Sequence, residues 1–251
     1  MNRAVGRFVE DLEPILAQGR YELPTLTSME LTAARAAAGL AEPGMPRAFF
    51  DDIPAQDEAS GLASLVERGL IDDVNTLDHE LVLLLTLRQL PSLVLLCQTR
   101  TRSDVGPIWI FYGMGDAAYL LESVSNAKHS FTLLNRARAI GLLLGAVGSQ
   151  GVASAAGPLV VEGNPDAAET FRRVAETTSV LALQGTRWTD RPGSTSFACE
   201  IAAGDGVYFI VGLPAGGGFR RAAMQLSAES LNEVVARALA CEERLLAPTL
   251  G

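Results

Sequence analysis

Apolar residues recur at two different periods along this chain, and the change of period divides it. Val5, Phe8, Val9, Leu12 and Leu16 fall three or four positions apart, which predicts an amphipathic first helix that Pro14 kinks near its end. A short strand is expected over 21–26. Thr27 and Glu30 then stand at capping-box spacing ahead of Leu31, Ala34 and Ala38, with Gly39 as the stop. Ala59, Leu62, Leu65 and Val66 mark a helix closed by Gly69, and Leu77, Leu81, Leu84 and Leu85 mark another over 76–89. Beyond Pro91 the period becomes extended: 93–97, 108–112, 117–122 and 131–134 are short apolar runs separated by turn residues, the pattern of an antiparallel meander. A helix is expected over 137–147.

Small residues follow, and then Asn164 and Pro165 signal a helix start, with Ala167, Phe171 and Val174 as its buried stripe. A second meander is expected over 180–183, 195–201, 207–213 and 222–226. Ser227 caps a last helix carrying Leu231, Val234, Val235, Ala238, Leu239, Leu245 and Leu246.

The order helix, meander, helix thus occurs twice, and two local matches support a repeat. Gln98-Thr99-Arg100-Thr101 resembles the stretch Gln184 to Thr189 at 86 positions' distance, and Gly115-Asp116 resembles Gly204-Asp205 at 89. The reading is an α+β fold in which two antiparallel β-meander units, flanked by helices, close about a pseudo-twofold axis behind an N-terminal helical segment. Its parts are 1–75, a helical segment with one short strand; 76–150, the first unit; 151–163, a linker; and 164–251, the second unit.

Composition narrows the class. At 251 residues and 48% hydrophobic the chain can bury a core without metal or disulfide, and its three cysteines, Cys97, Cys199 and Cys241, form no paired spacing. That suits a reducing cytosol, and the first residues carry Arg3 and Arg7 without an apolar run, so no export signal and a cytoplasmic location are expected. A net charge of −9 repels phosphate backbones and anionic membranes, so no nucleic-acid partner is expected. The uncharged stretch 139–161 has the length of a membrane span, but Gly141, Gly145, Gly148, Gly151, Gly157 and Pro158 interrupt it, and no membrane insertion is expected.

Candidate chemistry is sparse. His79 and His129 have no second ligand at metal spacing, and Leu83 stands where an HExxH pattern needs its second histidine, so neither metal nor cofactor is expected. Gly113-Met114-Gly115 lacks the third glycine of a dinucleotide fingerprint, Gly216-Gly217-Gly218 lacks the Lys-Ser/Thr of a phosphate loop, and Ser149 lies in no nucleophile elbow. No catalytic residue is assigned, and the chain reads as a non-enzyme. Two alternatives remain open: an enzyme site assembled from Arg100, Arg187, Asp116 and Asp205, and a winged helix over 62–96, whose recognition helix carries Arg88 as its only cation.

Over most of its length the chain resembles the EspG-type chaperones of type VII (ESX) secretion in actinobacteria. The resemblance rests on Leu-Thr-Ser-Met-Glu-Leu at 26–31, Arg68-Gly69-Leu70, the Leu-rich helix before Leu90-Pro91, the first meander, Gly157-Pro158-Leu159-Val160-Val161, and the second meander. It implies a cytosolic binding protein that keeps helical secretion substrates, PE-PPE-like heterodimers or related proteins, soluble before export. The family binds through a hairpin loop and C-terminal helices, which here points to the loops 101–106 and 188–193. The partner-binding candidates are Arg102, Asp104, Trp188, Arg191 and Phe219.

Overall fold

The computed structural model describes residues 12, 14, 16–40, 58–72, 76–89, 91–115, 117–148, 151–188, 194–215 and 218–242. The first-helix positions Val5, Phe8 and Val9, the candidate Arg191, and Leu245 and Leu246 lie outside them. Leu12 is buried and Leu16 packs beside it.

Strand β1 (Arg20–Thr27) leads into helix α1 (Ser28–Ala37), where the capping box forms as the spacing requires. The Thr27 hydroxyl accepts from the Glu30 amide at 3.2 Å, and the Glu30 carboxylate accepts from the Thr27 amide at 2.7 Å. Helix α2 (Glu58–Glu67) ends at Gly69, whose φ of +69° is the left-handed conformation that glycine adopts without penalty. Helix α3 (His79–Gln89) starts three residues later than the leucine spacing suggests. Leu77 is instead bridged to Ile71, and Asp78 caps the helix by accepting from the Glu80 amide at 2.9 Å.

The first meander is β2 (Leu93–Thr101), β3 (Val105–Met114), β4 (Ala118–Ser125) and β5 (Lys128–Asn135), followed by α4 (Arg136–Val147), which Asn135 caps. A short strand, β6 (Val160–Val161), precedes α5 (Ala168–Glu176). The helix signal at Asn164 and Pro165 is only partly realised. Pro165–Ala167 forms one 3-10 turn, and the Asn164 side chain makes no capping bond. The second meander is β7 (Ser179–Trp188), β8 (Ser194–Ala203), β9 (Val207–Ala215) and β10 (Gly218–Gln225), followed by α6 (Ala228–Leu239) under the expected Ser227 cap. All eight meander strands run past the apolar cores that mark them in sequence, because ladder pairing satisfies backbone amides whatever the side chain.

Among the described residues the ten strands form one antiparallel sheet in the order β1-β5-β4-β3-β2-β7-β8-β9-β10-β6. The two meanders meet edge to edge where β2 pairs with β7, with Cys97 opposite Leu183 at the middle of the seam. One row crosses every strand: Leu26, His129, Val124, Ile108, Gln98, Ala182, Glu200, Ile210, Ala223 and Val160.

Helices α4 and α6 lie together on one face, sealing Leu95, Phe111, Leu121, Leu181, Ile201 and Phe209 beneath Leu143, Val234 and Val235. The opposite face is covered in two separate places. Over the first meander, α1, α2 and α3 bury Ile110, Tyr112, Leu120 and Phe131. Over the second, α5 covers Ala202, Tyr208, Ile210 and Ala223 through Val174 and Phe171. Among the described residues no helix is long and apolar enough to cross a membrane, and the uncharged stretch divides into α4 and a small-residue connection, as its glycines imply.

Candidate functional site

Between the two helical covers the sheet lies open. The depression there, about 490 Å³, is floored by Leu96, Gln98, Ala182, Gln184, Ala198 and Gly212, with Arg100, Glu200 and Arg221 among its polar lining. Period-two alternation explains the selection: Leu181 and Leu183 turn toward α4 and α6, so their neighbours Ala182 and Gln184 must face the other way. From β3, under α3, to β10, under α5, there are five strand spacings, about 24 Å; subtracting one helix radius at each side leaves about 12–14 Å, room for a single helix.

The sequence candidates are brought only partly to this trough. Trp188 ends β7 on the open-face side of the alternation and is 45% exposed, and Phe219 is 78% exposed, its ring lying over Gly212. Both stand toward the same end of the sheet, where β7 passes to β8 and β9 turns into β10. Arg102 and Asp104 occupy the tight β2–β3 turn, in which Thr101 accepts from the Asp104 amide at 3.0 Å. That turn lies at the other end of the seam, since Thr101 pairs with Ser179 while Leu93 pairs with Arg187. Antiparallel pairing at the seam thus sets Thr101, at the start of this turn, and the end of β7 at Trp188 at opposite ends, about 26 Å apart along β2.

The enzyme alternative fares no better as a constellation. Arg100 faces the trough, whereas Arg187 faces α6 and donates to the Ala240 carbonyl at 2.9 Å. Asp205 sits in the β8–β9 turn, and Asp116 lies outside the described residues. The winged-helix alternative loses its cation, because Arg88 is 3% exposed and bonded inside the fold.

The trough's polar groups are held in place. Gln98 accepts from the Arg100 guanidinium at 3.2 and 3.3 Å, and the Arg221 guanidinium lies 5.5 Å over the Phe171 ring. Beneath the opposite face, burial pushes the Cys199 and Cys241 thiols up to about 12 and raises the Cys97 thiol well above its ordinary value, so none supplies a thiolate at neutral pH.

Sequence reasoning missed a second polar cluster entirely. Glu122 is fully buried; one oxygen accepts from Arg88 at 3.0 Å and Tyr112 at 2.5 Å, and the other meets His129 Nδ1 at 2.5 Å. His129 Nε2 in turn faces the Ser28 hydroxyl at 2.9 Å. Although desolvation opposes ionisation, Arg88 and the bonds from His129 and Tyr112 outweigh it and lower the Glu122 carboxyl to about 2. Arg88 is correspondingly raised by Tyr112 and Glu122 against its own desolvation. A signal existed: Glu122 alternates with Ala118 and Leu120 on the buried side of β4, where an unpaired charge is not tolerated.

Among the described residues no group of three or more His, Cys, Asp or Glu side chains is arranged to hold a metal. The chain matches no family model, and no curated protein matches it.

Proposed function

We propose that this chain is a cytosolic binding protein that holds a helical secretion substrate soluble before export, as its resemblance to the EspG-type chaperones implies. The observation that carries the reading is the trough at the seam: wide enough for one helix, with Ala182, Ala198 and Gly212 among its floor residues, and open between two helical walls. Small floor residues allow a partner helix to approach the sheet closely, and Trp188 and Phe219 offer the exposed aromatic area that anchors an interface. Gln98, Gln184 and Arg100 supply polar contacts around it.

The reading includes a pseudo-twofold pair of units. In its support, β2–β5 of 9, 10, 8 and 8 residues are matched by β7–β10 of 10, 10, 9 and 8, and each series ends in a 12-residue helix.

Co-purification from an actinobacterial lysate, with mass spectrometry of what stays bound in moderate salt, tests the function. PE-PPE-like helical proteins retained by the wild type and lost with Ala198→Trp, which fills the floor, are the expected result. A folded wild-type chain that retains no such protein, or retention unchanged in Ala198→Trp, overturns it.

A further inference from the structure

The geometry points to a second site at the other side of the first meander: we propose that Ser28, His129 and Glu122 form a serine-nucleophile centre able to hydrolyse small carboxylic esters. The three groups make a nucleophile, a base and an orienting carboxylate in series. Ser28 Oγ lies 2.9 Å from His129 Nε2, and His129 Nδ1 lies 2.5 Å from Glu122 Oε1.

The proton positions follow from Glu122. Its ionised carboxylate only accepts, so the facing Nδ1 carries a hydrogen, and in the tautomer with that single ring hydrogen the Nε2 lone pair faces the Ser28 hydroxyl. Arg88 and Tyr112 fix the far side of Glu122, which keeps the imidazole from turning. Accessibility is graded in the direction such a centre needs. Glu122 and His129 are buried, Ser28 is half-buried, and Met29 beside it is exposed.

A hydrogen-bond donor for the developing negative charge is also at hand. Ser28 is the first residue of α1, and the helix supplies no carbonyl for its first-turn amides. The Ser28 amide donates to Ala127 O at 3.0 Å and the Glu30 amide to Thr27 Oγ1 at 3.2 Å. Among the described residues the Met29 amide is left, and the residue after the nucleophile is where acyl-transfer enzymes draw an oxyanion donor. The Ser28 hydroxyl also reaches Ala127 O at 3.3 Å, a longer contact than the one to His129 and one that attack would give up.

In the acylation step Ser28 Oγ bonds to the ester carbonyl carbon while its proton passes to His129 Nε2. The ester C–O bond breaks, and the departing alkoxide takes that proton and leaves as the alcohol. Water then repeats the sequence on the acyl-Ser28 ester, releasing the carboxylic acid and restoring the hydroxyl, with no co-reactant beyond water. Three strand spacings, about 14 Å, separate His129 from Gln98 in the trough, so this centre does not rest on the binding proposal.

The probes are a fluorophosphonate and 4-nitrophenyl acetate on the full-length chain. One phosphonyl label per chain, located on Ser28 by peptide mass spectrometry, is expected, together with acetate release that Ser28→Ala abolishes while the melting temperature stays put. His129→Asn is expected to slow labelling at least 100-fold. Because that variant could unfold, Ser28→Cys provides a second reading: its thiol should react with iodoacetamide faster than the thiols of the wild-type chain, which are buried. Absence of label on Ser28, or equal ester turnover in wild type and Ser28→Ala, overturns the proposal, as does a Ser28→Cys chain no more reactive than wild type.

Discussion

Counted outward from the seam, the two meanders bury one face alike and treat the other in opposite ways. Toward α4 and α6, Leu95, Phe111 and Leu121 in the first correspond to Leu181, Ile201 and Phe209 in the second, and both series are sealed. On the other face, Ile108, Ile110, Tyr112 and Phe131 of the first correspond to Ala198, Glu200, Ala202 and Ala223 of the second. Side-chain size at the same sheet position decides what covers it. Burying a Phe or Ile is worth about 1.5–3 kcal/mol, and the first meander accordingly draws three helices onto itself. Alanine and glycine offer little such return, and the second meander carries one short helix beside an open trough.

The largest expected effect sharpens this contrast from the first meander. Glu122→Ala leaves Arg88 buried without its carboxylate, and urea titration should show a loss of about 3–5 kcal/mol. If the variant is as stable as wild type, the first meander is not locked by this cluster.

The same group makes stability depend on acid. Its carboxyl is depressed in the folded chain, so the contribution is complete above the ordinary glutamate value and is lost as pH falls from about 4.5 through about 2. The difference is worth about 3 kcal/mol, and Glu122→Gln should flatten that limb of the stability curve.

A pair of glycine substitutions compares the two covers directly. A Cβ at Gly61 would stand 2.4 Å from the Met29 carbonyl oxygen, so Gly61→Ala must push α1 and α2 apart, at a cost of about 1–3 kcal/mol by denaturation. At Gly212 the nearest atoms are 3.6 Å away on the Phe219 side chain, and Gly212→Ala is expected to change stability by less than about 0.5 kcal/mol. Equal costs at the two sites would erase the contrast between a packed and an open face.

The smallest effect concerns helix starts. Thr27→Ala removes a formed capping box and should cost about 1 kcal/mol, whereas Asn164→Ala removes no side-chain bond and should fall within about 0.5 kcal/mol of wild type by thermal melting.

These helix starts also show what was legible in the sequence. Thr27/Glu30 and Ser227 are local signals with local partners, so the chain alone identifies them. Asn164 carries the same kind of signal, but a 3-10 turn intervenes before α5 and the Asn164 side chain makes no capping bond. Two antiparallel meanders are visible in the change of apolar period, but their fusion into one sheet depends on β2 pairing with β7 across about 80 residues of chain, which no local pattern encodes. For the same reason Trp188 and Phe219 could be named as aromatics beside predicted turns, while their exposure and their separation from Arg102 and Asp104 could not be foreseen. The Ser28, His129 and Glu122 series is likewise assembled from α1, β5 and β4, and only the misplaced charge of Glu122 betrays it.

The seam trough as the docking face is tested most directly by site-specific photo-crosslinking. A benzoylphenylalanine at the exposed Ala198, within the trough, and another at the exposed Glu233, on the outer side of α6, would be compared in the same actinobacterial lysate. Crosslinks to helical secretion substrates from position 198 and none from 233 are the expected result. Crosslinks from 233 alone, or from 198 only to residues of this chain itself, would contradict it.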